Sequence, residues 1–137
     1  MPVVPMNEAV PTTDGAITVV IPSRPELMHV LRTVVASVAG RMDFPYDTVD
    51  DLRLAVDEAG SQLLAISGPS SQITMRIEDS PEEVTVSLAL DEPAGEWPPV
   101  GLGRTLSWQV LSALTDEASF GEDGAGPVVW MRKKSSR

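Results

Sequence analysis

Between Leu52 and Leu90 the apolar residues change their repeat, and that change limits what the chain can fold into. Over Leu52–Ser67 (LRLAVDEAGSQLLAIS), Leu52, Ala55, Val56, Ala59, Leu63 and Ile66 recur at helical spacing. At about 100° per residue they form one stripe. Ile73, Met75 and Ile77 then alternate with Thr74, Arg76 and Glu78. Past the turn DSPEE, Val84, Val86, Leu88 and Leu90 alternate with Thr85, Ser87 and Ala89. A repeat of two predicts strands with one apolar face, and the turn between them predicts a hairpin. A one-sided helix and a one-sided hairpin must cover each other, which is a helix layer on a sheet layer.

The rest of the chain fits that plan. Ile17, Val19 and Ile21 alternate up to Pro22, which ends a first strand. Ser23 is placed to cap a helix, with Pro25 in its first turn and Glu26 at the capping-box position. Leu27, Val30, Leu31, Val34 and Val38 make the stripe of that helix, which stops at Gly40. MDFPYD reads as a loop, and Asp47 as the cap of the Leu52 helix. DEPAGEWPPVGLG, residues 91–103, reads as a loop rich in Gly and Pro. Leu102, Leu106, Val110, Ala113 and Leu114 space as a third helix. Short strands follow around Ala118–Phe120 and Val128–Arg132, joined by EDGAG, and RKKSSR reads as a solvated tail. The expected class is α+β: a two-layer sandwich with one mostly antiparallel sheet and about three helices on one face. Strands and helices do not alternate regularly enough for a parallel doubly wound fold. Residues 1–15, with Pro2, Pro5 and Pro11, read as a loose segment, residues 16–133 as the domain and 134–137 as a tail.

Charge and composition narrow the partners. The formal net charge is −10, a field that repels phosphate backbones and argues against sequence-independent nucleic-acid binding. There is no cysteine, hence no disulfide framework and no thiolate metal site. No apolar run reaches the ~18 residues of a membrane helix. MPVVPMNEAVPTTDG lacks the basic and apolar regions of a secretion signal. Together these predict a cytoplasmic protein without a membrane partner.

Four groups could carry chemistry. Glu58 and Gln62, at i and i+4, sit one above the other on a shoulder of the apolar stripe, with Asp57 turned about 100° away. A carboxylate at a core margin can orient or deprotonate a hydroxyl, although most helix glutamates are only solvated. Gly101-Leu102-Gly103 precedes a helix, where backbone N–H groups can hold an anion; a flexible connection reads equally well. Asp91 ends a strand, with Gly95 four residues on, and could accept a hydrogen bond from a base amino group or simply start a turn. Trp97 and Trp108 are candidate contact residues, and Trp130 alternates within its strand and reads as core. His29, the single histidine, lies off its helix stripe and reads as solvated.

These pieces together resemble the small bacterial anti-sigma factors that double as serine kinases. That family is part of the larger group of ATP-binding (Bergerat-type) domains shared by histidine kinases, gyrase and the Hsp90 chaperone. The resemblance covers about Ala16–Lys133, and its strongest piece is LRLAVDEA, Leu52–Ala59. It implies Glu58 as the catalytic base and ATP with Mg²⁺ as cofactors. Gln62 takes the place of the family's metal-binding Asn. Asp91 and Gly95 would fall in the adenine box, and Gly101 and Gly103 in the later glycine box. The boxes depart from the pattern. Ile66 stands where His is frequent, DEPAG replaces D-x-G-x-G with Pro93 at the first Gly, and GPVVW offers no counterpart to the family's Thr. A longer amide stem displaces a Mg²⁺ ligand, and Pro restricts φ where Gly would not. Sequestering a protein depends on neither group in the same way. The resemblance therefore implies, first, an anti-sigma factor that binds an alternative sigma subunit and is regulated by an anti-anti-sigma partner, with Arg32 on the contacting helix face. The alternatives are an active serine kinase phosphorylating that partner, or a nucleotide-binding domain with another partner. It also allows a homodimer, since the family often pairs through sheet edges or the first strand.

Overall fold

The computed structural model describes residues 16–124 and 126–135, so the expected loose segment 1–15 lies outside the described residues. The elements run β1 (Ile17–Pro22), α1 (Met28–Arg41), α2 (Tyr46–Leu64), β2 (Gln72–Asp79), β3 (Glu83–Leu90), α3 (Leu106–Leu114), β4 (Glu117–Asp123) and β5 (Gly126–Lys134). Short 3-10 turns, Pro25–Leu27 and Leu102–Arg104, lead into α1 and α3. The five strands form one antiparallel sheet in the order β1-β2-β3-β5-β4.

Alternation along the strands gives the sheet two unlike faces. Ile73, Met75, Ile77, Val84, Val86, Leu88, Leu90, Val129 and Met131 are buried, while their neighbours along each strand are half-exposed or exposed. The helices cover the buried face. α2 lies between α1 and α3 and rests on β3 and β5. Its stripe, Leu52, Ala55, Val56, Ala59 and Leu63, is fully buried, as the repeat predicts. From α1 the core receives Met28, Leu31, Val35 and Ala39, with Val30, Val34 and Val38 partly buried beside them. Full burial of a Leu or Val side chain contributes roughly 1.5–3 kcal/mol, so these stripes are the main reason for the two layers.

Several local expectations are corrected. Ser23 caps nothing: its hydroxyl hydrogen-bonds the Ser67 hydroxyl across the chain, and Arg24 stands at the cap of the first turn without a side-chain bond. Asp47 lies inside the first turn of α2, which starts at Tyr46 behind Pro45. α3 buries Trp108 and Leu111, whereas Leu106 is 76% exposed and Val110 37%. Trp130 is not core. It lies half-exposed on the open sheet face, with Arg76, Glu78, Thr85 and Ser87 around it. Trp97 and Trp108 both meet Phe120 edge-on, with centroids 6.2 and 4.8 Å away, and Trp97 Nε1 donates to Gly121 O at 2.8 Å. They tie the loop and α3 to β4 and do not stand out as free contact residues. Arg132, Lys133 and Lys134 are residues of β5 and not of a tail: Arg132 pairs with Glu117 at 2.6 Å, Lys133 with Asp51 on α2 at 3.1 Å, and Lys134 N donates to Asp116 Oδ2 at 2.7 Å. His29 is exposed as expected, with Nδ1–H donating to Glu26 O at 2.9 Å.

Candidate functional site

Glu58 and Gln62 emerge on the side of α2 that faces α3, and one residue of α3 joins them. Ser107 Oγ donates to Glu58 Oε1 at 2.6 Å, and Gln62 Nε2 donates to the same Ser107 oxygen. The approach of α3 is set just upstream. Gly101 has φ +77°, the left-handed region where a side chain is strained, and turns the chain into Leu102–Arg104. Leu102 is buried and anchors that turn. Thr105 is the cap of α3: its Oγ1 accepts from Trp108 N at 3.1 Å and donates to Leu102 O at 2.9 Å. Ser107 thus enters in the first turn of a firmly capped helix.

Three amides of the glycine turn are engaged within it. Leu102 N donates to Pro99 O, Arg104 N to Gly101 O and Thr105 N to Leu102 O, at 3.1, 2.9 and 3.1 Å, so these three amides serve the turn itself. Gly103 has open space where a Cβ would go, and nothing in the structure requires glycine there.

Asp91 closes the open end of the β2–β3 hairpin. Its Oδ1 accepts from Gln72 N at 2.6 Å and its N donates to Gln72 O at 3.2 Å. The segment after it folds onto the end of α2. Ala94 N and Gly95 N both donate to Ile66 O, at 2.8 and 3.2 Å, and Pro93 forms an isolated bridge with Ser67. Ser71 holds the same junction, receiving Gly68 N at 2.8 Å and donating to Glu92 O at 2.7 Å. Gly95 is needed for packing: a Cβ there would lie 3.0 Å from Ile66 Cγ2. The structure therefore gathers Glu58, Gln62 and the stretch after Asp91 along one side of α2. Ile66, one turn past Gln62, receives the Gly95 segment, and α3 covers Glu58.

Two functional candidates escape sequence reasoning. Ser107 looks like any helix serine until α3 is placed against α2. Ser71 sits in SGPSS, which reads only as a loop. Thr105 is not named by the sequence reading either, although a Thr directly before an apolar run is a capping signal.

Residues 21–133 match the family of histidine kinase-like ATPase domains. The chain belongs to that family. Among its relatives is the anti-sigma-F factor RsbW of Mycobacterium tuberculosis, 32% identical over 114 residues, which span 83% of this chain and 66% of the relative. The serine-protein kinase RsbW of Bacillus subtilis is 41% identical over 39 residues, 28% of this chain and 24% of its own. That of Bacillus pumilus is 39% identical over 54 residues, 39% of this chain and 31% of its own. The aligned stretches thus span just under two thirds of the mycobacterial relative and a quarter to a third of the Bacillus ones. Among the described residues no helix is long and apolar enough to cross a membrane.

Members of this family imply ATP and Mg²⁺, and the arrangement described here does not fit them. Ser107 lies between the two α2 side chains that would meet the metal and the reacting hydroxyl. One Asp91 oxygen is already bonded to the backbone, and Gly95 is packed on Ile66. Among the described residues no group of three or more His, Asp or Glu could hold a metal ion. Mg²⁺ usually takes one or two carboxylates plus phosphate oxygens, and here one oxygen of the Glu58 carboxylate accepts from a serine.

Proposed function

We propose that this domain is an anti-sigma factor: it sequesters an alternative sigma subunit of RNA polymerase in the cytoplasm and is released by an anti-anti-sigma protein. The relatives named above support the reading, and one structural observation carries it. On a chain of formal charge −10, α1 and α2 frame an open groove of about 520 Å³ with His29, Arg32 and Arg53 on its walls beside Thr33, Ala36 and Ser37. Arg32 pairs with Asp57 at 2.6 Å, and this half-exposed, solvent-screened pair is worth at most about 1 kcal/mol for stability. Its placement serves docking of an acidic helix or loop better than it serves the fold. Reversing a charge at the rim of such a contact is expected to weaken binding at least about tenfold.

The test is affinity capture from the native host with the full chain as bait, followed by calorimetry with the recovered sigma subunit. Arg32→Glu should lower affinity at least about tenfold while leaving the melting temperature within a few degrees. Capture that yields neither a sigma subunit nor an antagonist would end this reading.

A second reading, a serine kinase acting on the antagonist, is favoured by the Glu58–Ser107 contact, because a carboxylate that takes a serine O–H at 2.6 Å is in reach of general-base work. That reading takes Glu58 as the base, Gln62 as the Mg²⁺ ligand, Asp91 and Gly95 on the adenine side and Gly101 and Gly103 at the phosphates. It requires Ser107 to leave Glu58 and Gln62 first, because the arrangement described above does not fit the nucleotide. Transfer of labelled phosphate from ATP to the antagonist, lost in Glu58→Ala, would support it. No heat on titration with Mg·ATP up to millimolar concentration would exclude it.

A further inference from the structure

We propose that residues 1–15 fold back over the uncovered face of the sheet and lie on an uncharged strip that crosses all five strands. The strip follows from the strand register. Val20 pairs with Thr74, Thr74 with Ala89, Ala89 with Val128 and Val128 with Gly121, so these five residues form one row from β1 to β4. None of them is charged, and Trp130 stands beside the row, two residues along β5 on the same face. The helices cover the opposite face. On this one Val20 is 51% exposed, and Thr74, Ala89, Val128 and Trp130 are half-exposed. Gly121 has nothing within 4 Å of where a Cβ would stand. The second row beyond the strip, Glu78, Thr85, Arg132 and Glu117, gives the same face a charged margin.

Size, chain path and charge select the occupant. Four interstrand spacings make the strip about 19 Å long, and it is one row of residues wide. That is far short of the ~800 Å² per partner of a stable protein interface, and it fits one extended segment. Residues 1–15 lead into β1, an edge strand that holds one end of the strip. Fully extended they reach about 50 Å, against about 13 Å back along β1 and about 19 Å across the strands. Val3, Val4, Met6, Ala9 and Val10 supply apolar side chains, with Glu8 and Asp14 the only charged ones. Pro2, Pro5 and Pro11 cannot donate to a ladder, which suits a segment lying on a face better than one pairing at the β1 edge. A second copy would bring a further formal charge of −10 to the contact, which opposes its docking there.

The chain has no cysteine, so one introduced thiol reports on one place. Ala89→Cys sets it in the middle of the strip and Val20→Cys at the β1 end, while Ser112→Cys, exposed on α3, is the reference. Each is made in the full chain, with and without Val3→Ser, Val4→Ser and Val10→Ser together, which remove apolar surface from the segment and add no charge. Maleimide labelling rates are measured at high and at low protein concentration. Loss of the valine contacts is expected to speed labelling at Ala89→Cys and Val20→Cys at least about tenfold at either concentration, and to leave Ser112→Cys unchanged. Val20→Cys, on an edge strand and already half-exposed, keeps the test decisive if Ala89→Cys fails to fold. Equal rates at the strip positions with and without the three serines overturn the proposal. Rates that rise only on dilution make a second copy the occupant and overturn it as well.

Discussion

Gly126→Ala is expected to lower the stability of the fold by about 3 kcal/mol, while Gly124→Ala in the same turn changes it by less than about 0.5 kcal/mol. In the sequence the two glycines of EDGAG are alike. In the structure they are not. Gly126 has φ +122°, a conformation L side chains rarely adopt, and an added Cβ would lie 2.4 Å from Leu90 O, a backbone atom at the end of β3. The oxygen cannot swing aside as a side chain would. Either β5 draws back from β3 or the Gly126–Asp123 pairing that closes the last hairpin is distorted. Gly124 has nothing within 4 Å and no positive φ, so a methyl group costs nothing there and restricts the unfolded chain slightly. Urea unfolding followed by circular dichroism measures both. Equal midpoints for the two variants would show that the β5–β3 approach is looser than described.

That difference shows where sequence reasoning runs out. Repeats of apolar residues are local, and they located α1, α2, β2 and β3 because each buries one face against the opposite layer. They also placed Glu58 and Gln62 together on a shoulder of α2, since i and i+4 neighbours follow from helix geometry alone. What they could not reach are contacts between distant segments. Ser23 meets Ser67 and so gives up the cap its position suggests. Asp91 takes Gln72 N across the open end of the hairpin, a partner nineteen residues away that neither the turn-starting nor the base-reading alternative named. Ser107 becomes part of the site only when α3 lies against α2, a placement decided by Gly101, Leu102 and Thr105 acting together. Trp130 follows the strand alternation faithfully but on the uncovered face, because Val129 and Met131 point to the helices.

The phase of α3 gives the other large effect. Read by spacing, Leu106 and Val110 belong to the buried stripe, and Leu111 does not. The structure reverses this: Leu111 is fully buried, Leu106 is 76% exposed. Leu111→Ala should therefore cost about 3 kcal/mol, since removing a buried leucine side chain loses its transfer energy and leaves a cavity that the sheet below can only partly close. Leu106→Ala should cost less than about 0.5 kcal/mol. The cause lies in the cap. Starting the helix at Thr105 with Ser107 turned to α2 fixes the rotation, and at about 100° per residue Leu111 then shares the Ser107 side one turn further on. Trp108 is carried to Phe120 by the same rotation. A helix rotated to bury Leu106 would turn Ser107 away from Glu58, so core packing and the site contact are two consequences of one angle. Thermal unfolding of the two variants reads that angle directly. A Leu106→Ala loss as large as that of Leu111→Ala would place α3 in the other phase and remove Ser107 from Glu58.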